Sequence, residues 1–286
     1  DRSRGLGDVY KRQGTPVSNT MAELYTMQRY LQPHRLKQLG LQHFDAWAST
    51  FGETVQELEL KPEGTGFHIK ERFAKFYNIP ELMNVFREVA DIQTAEMLDL
   101  PVPECNFESV RCSASDFQKD YVADLAERAD KVRDGGVSAD VDNMLKIVSD
   151  GRKLALDQRI IDKDSEDYDG SKVNTCVNNV YEIWSKTAEN KSAQLVFCDL
   201  STPNSKQFNV YDDIKNKLIV KGIPENEVAF IHDASTNAQK EELFKKVRAG
   251  TIRVLLGSTQ KCGTGTNAQD RLIAIHDLDC PWRPAD

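Results

Sequence analysis

The residues best suited to chemistry lie in one loop, residues 257–267, which reads GSTQKCGTGTN and follows an apolar run of strand length. Glycines let backbone N–H groups come close to phosphate oxygens, and hydroxyl and ammonium groups donate to the same oxygens. Ser258, Thr259 and Lys261 are therefore candidate phosphate-binding residues. A glycine-rich turn without a ligand is the alternative that composition alone leaves open.

The elements that must position this loop follow the pattern of an α/β sheet. Apolar runs predict strands at residues 193–200, 227–232, 252–257 and 272–276. Capping signals and closing glycines predict single helices between them, over residues 209–221 and 236–250. This alternation implies right-handed crossovers and a mostly parallel sheet, whose ligands bind at the carboxyl ends of the strands. The loops to search for chemistry are therefore residues 200–206, 232–236, 257–267 and 277–281.

The remainder of the chain predicts mainly helices. Capping signals predict helices over residues 20–31 and 116–132, and a helical spacing of apolar residues predicts a third helix that begins at Lys172. Residues 34–112 predict mostly short helices, because glycines and prolines interrupt their amphipathic pieces. Residues 134–170 are rich in Asp and Gly and predict an exposed connection with helical pieces.

Composition describes a globular protein and excludes several classes. The 286 residues carry a net charge of −8, with 40% hydrophobic and 29% charged residues. No apolar run approaches the length of a transmembrane helix, so no membrane partner is expected. The negative net charge argues against nonspecific coating of nucleic acid, although a local basic groove can coexist with it.

The cysteines and histidines predict no metal centre. The six cysteines include no Cys-x-x-Cys pair, so neither a zinc site nor a disulfide framework is indicated, and a reducing cytoplasm is the expected location. His232 and His276 end different strands, and neither has a third ligand nearby in sequence.

Residues 255–286 resemble motif V of Swi/Snf-like members of helicase superfamily two, together with the approach to motif VI. The resemblance lies in Ser258-Thr259, then residues 263–267 (GTGTN), then residues 279–284 (DCPWRP) after a further strand. The CPWRP version especially resembles helicase-like proteins of phages and mobile elements, some of which are fused to adenine methyltransferases. This resemblance implies that Gly263, Gly265, Thr266 and Asn267 contribute to a nucleotide cleft, and that Ser258, Thr259 and Lys261 grip DNA phosphate.

Other segments resemble further motifs of the same family. Residues 14–20 (GTPVSNT) resemble motif III, which closes the first RecA-like domain, and this likeness implies DNA-side roles for Thr15 and Asn19. Residues 113–121 resemble the segment that leads into the second RecA-like domain. Residues 196–199 (VFCD) resemble motif IV. In the family the loop after motif IV touches the DNA backbone, a role that falls here to Ser201, Thr202 and Lys206. A capped turn and a solvated polar loop are the alternatives for these segments.

The resemblance implies an α/β fold with a RecA-like parallel sheet. The expected organisation is a non-native, adaptor-like segment at residues 1–13, the tail of a first RecA-like domain with a helical insertion at 14–112, and an incomplete second RecA-like domain at 113–286. The intact protein is expected to use ATP and Mg²⁺ to translocate on double-stranded DNA. Its partners would be the missing N-terminal RecA-like domain and a linked DNA methyltransferase.

Two ATPase signatures are absent from these residues. The chain contains no Gly-Lys and no Asp-Glu dipeptide, whereas ATP hydrolysis needs a phosphate-binding lysine loop and paired acidic residues. The motif VI arginines are expected beyond residue 286. We therefore expect no catalytic residue, no tight ATP binding and no turnover from this chain alone. A noncatalytic DNA-binding module and an α/β enzyme that binds nucleotide through GTGTN remain alternatives.

Overall fold

The computed structural model describes residues 20, 22–60, 67–93, 95–98, 103–138, 140–203, 208–263 and 267–280. These residues separate into two compact units, the first within residues 20–107 and the second within residues 108–280. No helix within the described ranges combines the length and apolar character needed to cross a bilayer.

The first unit combines helices with one β-hairpin. Its helices are α1 (Ala22–Leu31), α2 (Pro33–Gln38), α3 (Phe44–Phe51), α4 (Ile79–Arg87) and α5 (Ala95–Leu98), and its strands are β1 (Gly52–Leu60) and β2 (Phe67–Phe76). The helix predicted over residues 20–31 is confirmed by α1, whose Leu24 and Tyr25 are buried as their spacing requires. Pro33 begins α2 at a position where no intrahelical N–H is needed.

The short helices predicted over residues 34–112 are present as α2 to α5, but the hairpin at residues 52–76 was not predicted. Strands β1 and β2 pair antiparallel, from Gly52 opposite Phe76 to Leu60 opposite Phe67. Apolar residues alternate only in the outer half of the hairpin, and the register shifts between Glu53 and Thr54, so the period of two is short and interrupted. The prediction failed at these residues because strand pairing depends on a partner elsewhere in the chain, whereas helical capping and periodicity are local signals.

An aromatic cluster forms the core of the first unit. Trp47 is fully buried, its ring lies among those of Phe51, Phe73 and Phe76, and its Nε1 donates to Gln28 Oε1 at 2.7 Å. This hydrogen bond satisfies the indole N–H, which would otherwise be costly to bury.

The second unit contains a four-stranded parallel sheet. Its elements are α6 (Asp116–Arg133), α7 (Met144–Leu156), α8 (Lys172–Lys186), β3 (Ala193–Phe197), α9 (Val210–Val220), β4 (Val228–Phe230), α10 (Asn237–Arg248), β5 (Val254–Gly257), α11 (Thr259–Cys262) and β6 (Leu272–Asp277). The strand order is β4-β5-β3-β6, and every neighbouring pair is parallel. The predicted α/β class with a RecA-like parallel sheet is therefore confirmed.

Helices cover both faces of this sheet. Residues of α8 and α9, including Val177 and Ile214, pack with Val196 of β3 on one face. Residues of α10, including Phe244, pack with Leu195 on the other face. Because consecutive residues of β3 point to opposite faces, both of its sides are apolar, as expected for a central parallel strand.

Capping residues set the helix boundaries that the sequence predicts. Ser115 with Gln118 and Thr236 with Gln239 form capping boxes at the starts of α6 and α10. Gly250 follows the end of α10 with a φ of +75°, a conformation that glycine adopts without a Cβ penalty.

A charged network holds the segment between α7 and α8 against α9. Arg159 lies close to three carboxylates, those of Asp157, Asp213 and Asp167, at 2.7, 2.8 and 3.3 Å. Lys217 of α9 also pairs with Asp167 at 2.6 Å. Residues 134–170, predicted as an exposed connection, therefore contribute the Asp167 carboxylate to an ion-pair network with α9.

Candidate phosphate-binding edge of the parallel sheet

The four parallel strands end at one edge of the sheet, where their loops lie together. Main-chain hydrogen bonds extend beyond the strands, since Cys198 N donates to Gly257 O and Leu278 N donates to Phe197 O, both at 3.0 Å. The loops after β3, β5 and β6 are therefore adjacent, with the loop after β5 next to the end of β3. Such an edge is where α/β sheets bind their ligands.

The loop after β5 carries the three residues predicted to grip phosphate. Ser258 is buried, and its carbonyl accepts from the N–H groups of α11. Thr259 is half-buried, and its N–H donates to Asp199 Oδ1 at 2.7 Å. Lys261 is exposed, so its ammonium group is accessible to an anion.

Gly257 lets this loop fold back onto the sheet. A Cβ at this position would overlap Cys262 Sγ and lie 3.2 Å from Ile231 Cγ2. Burial raises the pKa of Cys262 to about 11, so this thiol is a protonated packing group. The close approach of Cys262 gives α11 its position over the end of β5.

The loop after β3 contains Ser201 and Thr202. Ser201 is buried, and its hydroxyl accepts from Val210 N at 3.0 Å, so it supports the start of α9. Thr202 is exposed at the same edge of the sheet. Tyr211 of α9 donates its hydroxyl to Cys198 O at 2.7 Å, which attaches the beginning of this loop to the helix.

Two of the predicted nucleotide-binding residues lie within the described chain. Gly263 is exposed and its N–H donates to Thr259 O at 2.7 Å, where an added Cβ would lie 2.5 Å from that oxygen. Asn267 is exposed, and its carbonyl accepts from the guanidinium of Arg248. The other predicted site residues lie outside the described residues, namely Gly265, Thr266, Thr15, Asn19 and Lys206.

Asp199 and Asp279 have no predicted role, yet their carboxylates connect the loops through hydrogen bonds. Asp279 is half-buried and accepts from Asp199 N at 3.0 and 2.9 Å and from Leu200 N at 2.7 Å. Burial raises the pKa of Asp279, and the two backbone donors oppose that shift. Their positions in the sequence were the available signal: Asp199 lies near the carboxyl end of the strand predicted over residues 193–200, and Asp279 lies in the loop 277–281 that follows the last predicted strand.

His232 lies at the end of β4 beside the same edge. Its ring meets that of Tyr211 edge-on, with centroids 5.2 Å apart. Burial, and secondly the charge of Lys261, lower the pKa of His232, so the imidazole is neutral at pH 7. Among the residues that the structure describes, no cluster of three His, Cys, Asp or Glu side chains is arranged to hold a metal ion.

Comparison with known families finds similarity over the first third of the chain. Residues 2–94 match a family described as a probable helicase domain. That range includes residues 2–13 and ends before the helices and strands of the second unit begin. No curated protein matches this chain. The family match supports a helicase-like protein.

Proposed function

We propose that this helicase-like chain is part of an ATP-dependent translocase of double-stranded DNA, of the Swi/Snf-like kind, and that the carboxyl edge of its parallel sheet grips the DNA backbone. The observation that carries the proposal is the juxtaposition of two predicted phosphate-binding loops. The Asp199 carboxylate joins them through Thr259 N at 2.7 Å, while Lys261 and Thr202 remain exposed.

Exposed and half-buried groups of these loops would contact the DNA phosphates. Lys261 supplies the positive charge that a phosphodiester requires, and the hydroxyls of Thr259 and Thr202 supply neutral donors. Ser201 and Ser258 are buried, so they act by supporting the loops. Lys206, Thr15 and Asn19 complete the proposed DNA-binding set.

The nucleotide part of the proposal concerns the end of the same loop. Gly263, Gly265, Thr266 and Asn267 would form one wall of a cleft for ATP and Mg²⁺. The opposite wall, with the phosphate-binding lysine and the acidic residues, would come from a first RecA-like domain of the same protein. Closure of the two domains on ATP would then move the DNA grip along the backbone. A phage or mobile-element source, a cytoplasmic location and a linked DNA methyltransferase belong to the same proposal.

The DNA-binding proposal is tested by fluorescence anisotropy with a labelled 20-base-pair duplex at several salt concentrations. We expect the 286-residue chain to bind with an affinity that falls as salt rises, because bound phosphates release counterions. Lys261→Ala should weaken binding and reduce the slope of log K against log salt by about 1.

Lys245→Ala provides a matched control. Lys245 is an exposed lysine in the last turn of α10, which leads to the amino end of β5 and thus away from the proposed grip. Its loss removes the same charge and should leave the slope close to that of the wild type. Equal effects of the two substitutions would contradict a localised grip at Lys261.

Calorimetry with Mg·ATP distinguishes the nucleotide-binding enzyme from the proposed translocase part. One wall of a cleft should bind ATP weakly, since most phosphate contacts are missing. Micromolar or tighter binding by this chain alone would instead favour an α/β enzyme that uses the GTGTN loop.

A further inference from the structure

Two carboxylates in series connect three loops at the carboxyl edge of the sheet. Asp279, after β6, accepts from the backbone N–H groups of Asp199 and Leu200, after β3. Asp199 in turn accepts through its own carboxylate from the backbone N–H of Thr259, after β5. The side chain of each aspartate therefore fixes the backbone of the next loop.

The middle loop of this series is held from both sides. Tyr211 donates to Cys198 O at 2.7 Å, and the Ser201 hydroxyl accepts from Val210 N at 3.0 Å. Both contacts attach the loop to α9, whose Tyr211 is fully buried. The Asp199 carboxylate thus extends from a firmly held backbone and can determine where Thr259 lies.

The charge of the two aspartates opposes DNA binding. A carboxylate near a phosphodiester repels it, so these groups cannot contribute attraction. Their contribution must come from their hydrogen bonds, which are charge-assisted and therefore stronger than those of neutral acceptors. Loss of the hydrogen bonds should weaken DNA binding, whereas loss of the negative charge should strengthen it. An experiment can therefore separate a positioning role from a charge effect.

We propose that Asp279 and Asp199 are positioning residues that place Thr259 and Lys261 for contact with DNA phosphate. This inference rests on the proposed DNA grip and adds the residues that set its geometry. Asp279 orients the backbone at Asp199 and Leu200, and Asp199 orients the backbone at Thr259, two residues before Lys261.

The test compares two substitutions at Asp199 in the same anisotropy assay. Asp199→Ala removes the acceptor and should weaken duplex binding by about tenfold, although it also removes a negative charge. Asp199→Asn retains an acceptor oxygen for Thr259 N and removes the charge, so it should bind as tightly as the wild type or slightly more tightly. Neither variant should reduce the salt slope, because neither removes a phosphate contact.

Asp233→Ala is the control for charge alone. Asp233 is an exposed aspartate beside His232 at the same edge, and its loss should tighten binding by about twofold through reduced repulsion. If Asp199→Ala tightens binding as Asp233→Ala does, the positioning role is overturned while the DNA grip stands.

A second readout covers the case in which Asp199→Ala unfolds. In Asp279→Asn the amide oxygen retains one backbone donor and the amide NH₂ faces the other, so duplex binding should weaken relative to the wild type. Hydrogen exchange at the Asp199, Leu200 and Thr259 amides should accelerate in this variant, while the amides of α8 keep their protection. Unchanged exchange at the three amides, or unchanged DNA affinity, contradicts the proposal. If the wild-type chain binds no duplex, the DNA grip itself fails, and the positioning role fails with it.

Discussion

The two units differ in how their cores are assembled. The first unit uses an aromatic cluster around Trp47, in which a helix and a hairpin contribute rings. The second unit uses aliphatic strands of a parallel sheet, with helices on both faces. The family match covers residues 2–94, which include most of the first unit, whereas the edge proposed to bind phosphate lies in the second. Similarity to a family and the geometry of a site therefore concern different parts of this chain.

The difference between the two units has a physical reason. A parallel sheet gathers the ends of all its strands at one edge, so residues distant in sequence meet there. An aromatic cluster around a hairpin fills space efficiently but creates no comparable edge. Different substitutions should therefore affect the two units in different ways.

The largest effect is expected from Trp47→Ala in the first unit. Loss of a fully buried indole and of its hydrogen bond to Gln28 should cost about 3–5 kcal/mol of unfolding free energy. Hydrogen exchange measured by mass spectrometry should show lost protection in α3 and α4 and retained protection in α9. Phe107→Ala, at a residue 96% exposed, is the control and should change little. Equal loss of protection in both units would show that the two cores unfold together and not independently.

A smaller effect is expected from Gly257→Ala in the second unit. The added Cβ would overlap Cys262 Sγ, and overpacking of this kind costs about 1–3 kcal/mol. Gly151→Ala is the matched control, because its Cβ would make an ordinary contact of 3.5 Å with Leu125 and would favour helix α7 by about 0.5–1 kcal/mol. Urea denaturation should therefore shift in opposite directions for the two variants. A stabilising Gly257→Ala would show that α11 can move away from β5 without cost.

The smallest effect is expected in the pH dependence of the second unit. Burial lowers the pKa of His276 below its ordinary value of 6.5. On acidification the unfolded chain therefore binds a proton at His276 before the folded chain does. The stabilisation that comes from the neutral, buried imidazole is present above pH 6.5 and is lost as the pH falls toward the lower pKa of the folded state. Thermal unfolding should show a steeper loss of stability between pH 7.5 and 5.5 in the wild type than in His276→Gln. The glutamine keeps a donor for Gln194 Oε1, which His276 contacts at 2.9 Å. Identical pH profiles of the wild type and His276→Gln would show that His276 does not contribute to the loss of stability in acid.

The strands of the second unit and most of its helices were predictable because their signals are local, whereas α11 formed within a segment predicted as a loop. Ser115 and Thr236 begin helices as their capping boxes predict, and Gly250 follows the end of α10. The hairpin at residues 52–76 was missed, because its alternation is interrupted and its stability depends on pairing and on aromatic packing. The prediction of a phosphate-binding loop rests on residue types and on family resemblance, since glycines, hydroxyls and a lysine occur together in residues 257–267.

By itself, the sequence determined the order of the four strands β3 to β6 and of the helices α9 and α10 between them, and with it the parallel sheet and the edge where its loops end. These features depend on capping, on periodicity and on the right-handed crossover, all of which act within short segments. Only the tertiary structure decided that Ser201 is buried and that Asp279 holds a backbone 80 positions away in the chain. The physical reason is that such contacts depend on the register between strands and on the exact course of each loop, and neither leaves a local pattern in the residues.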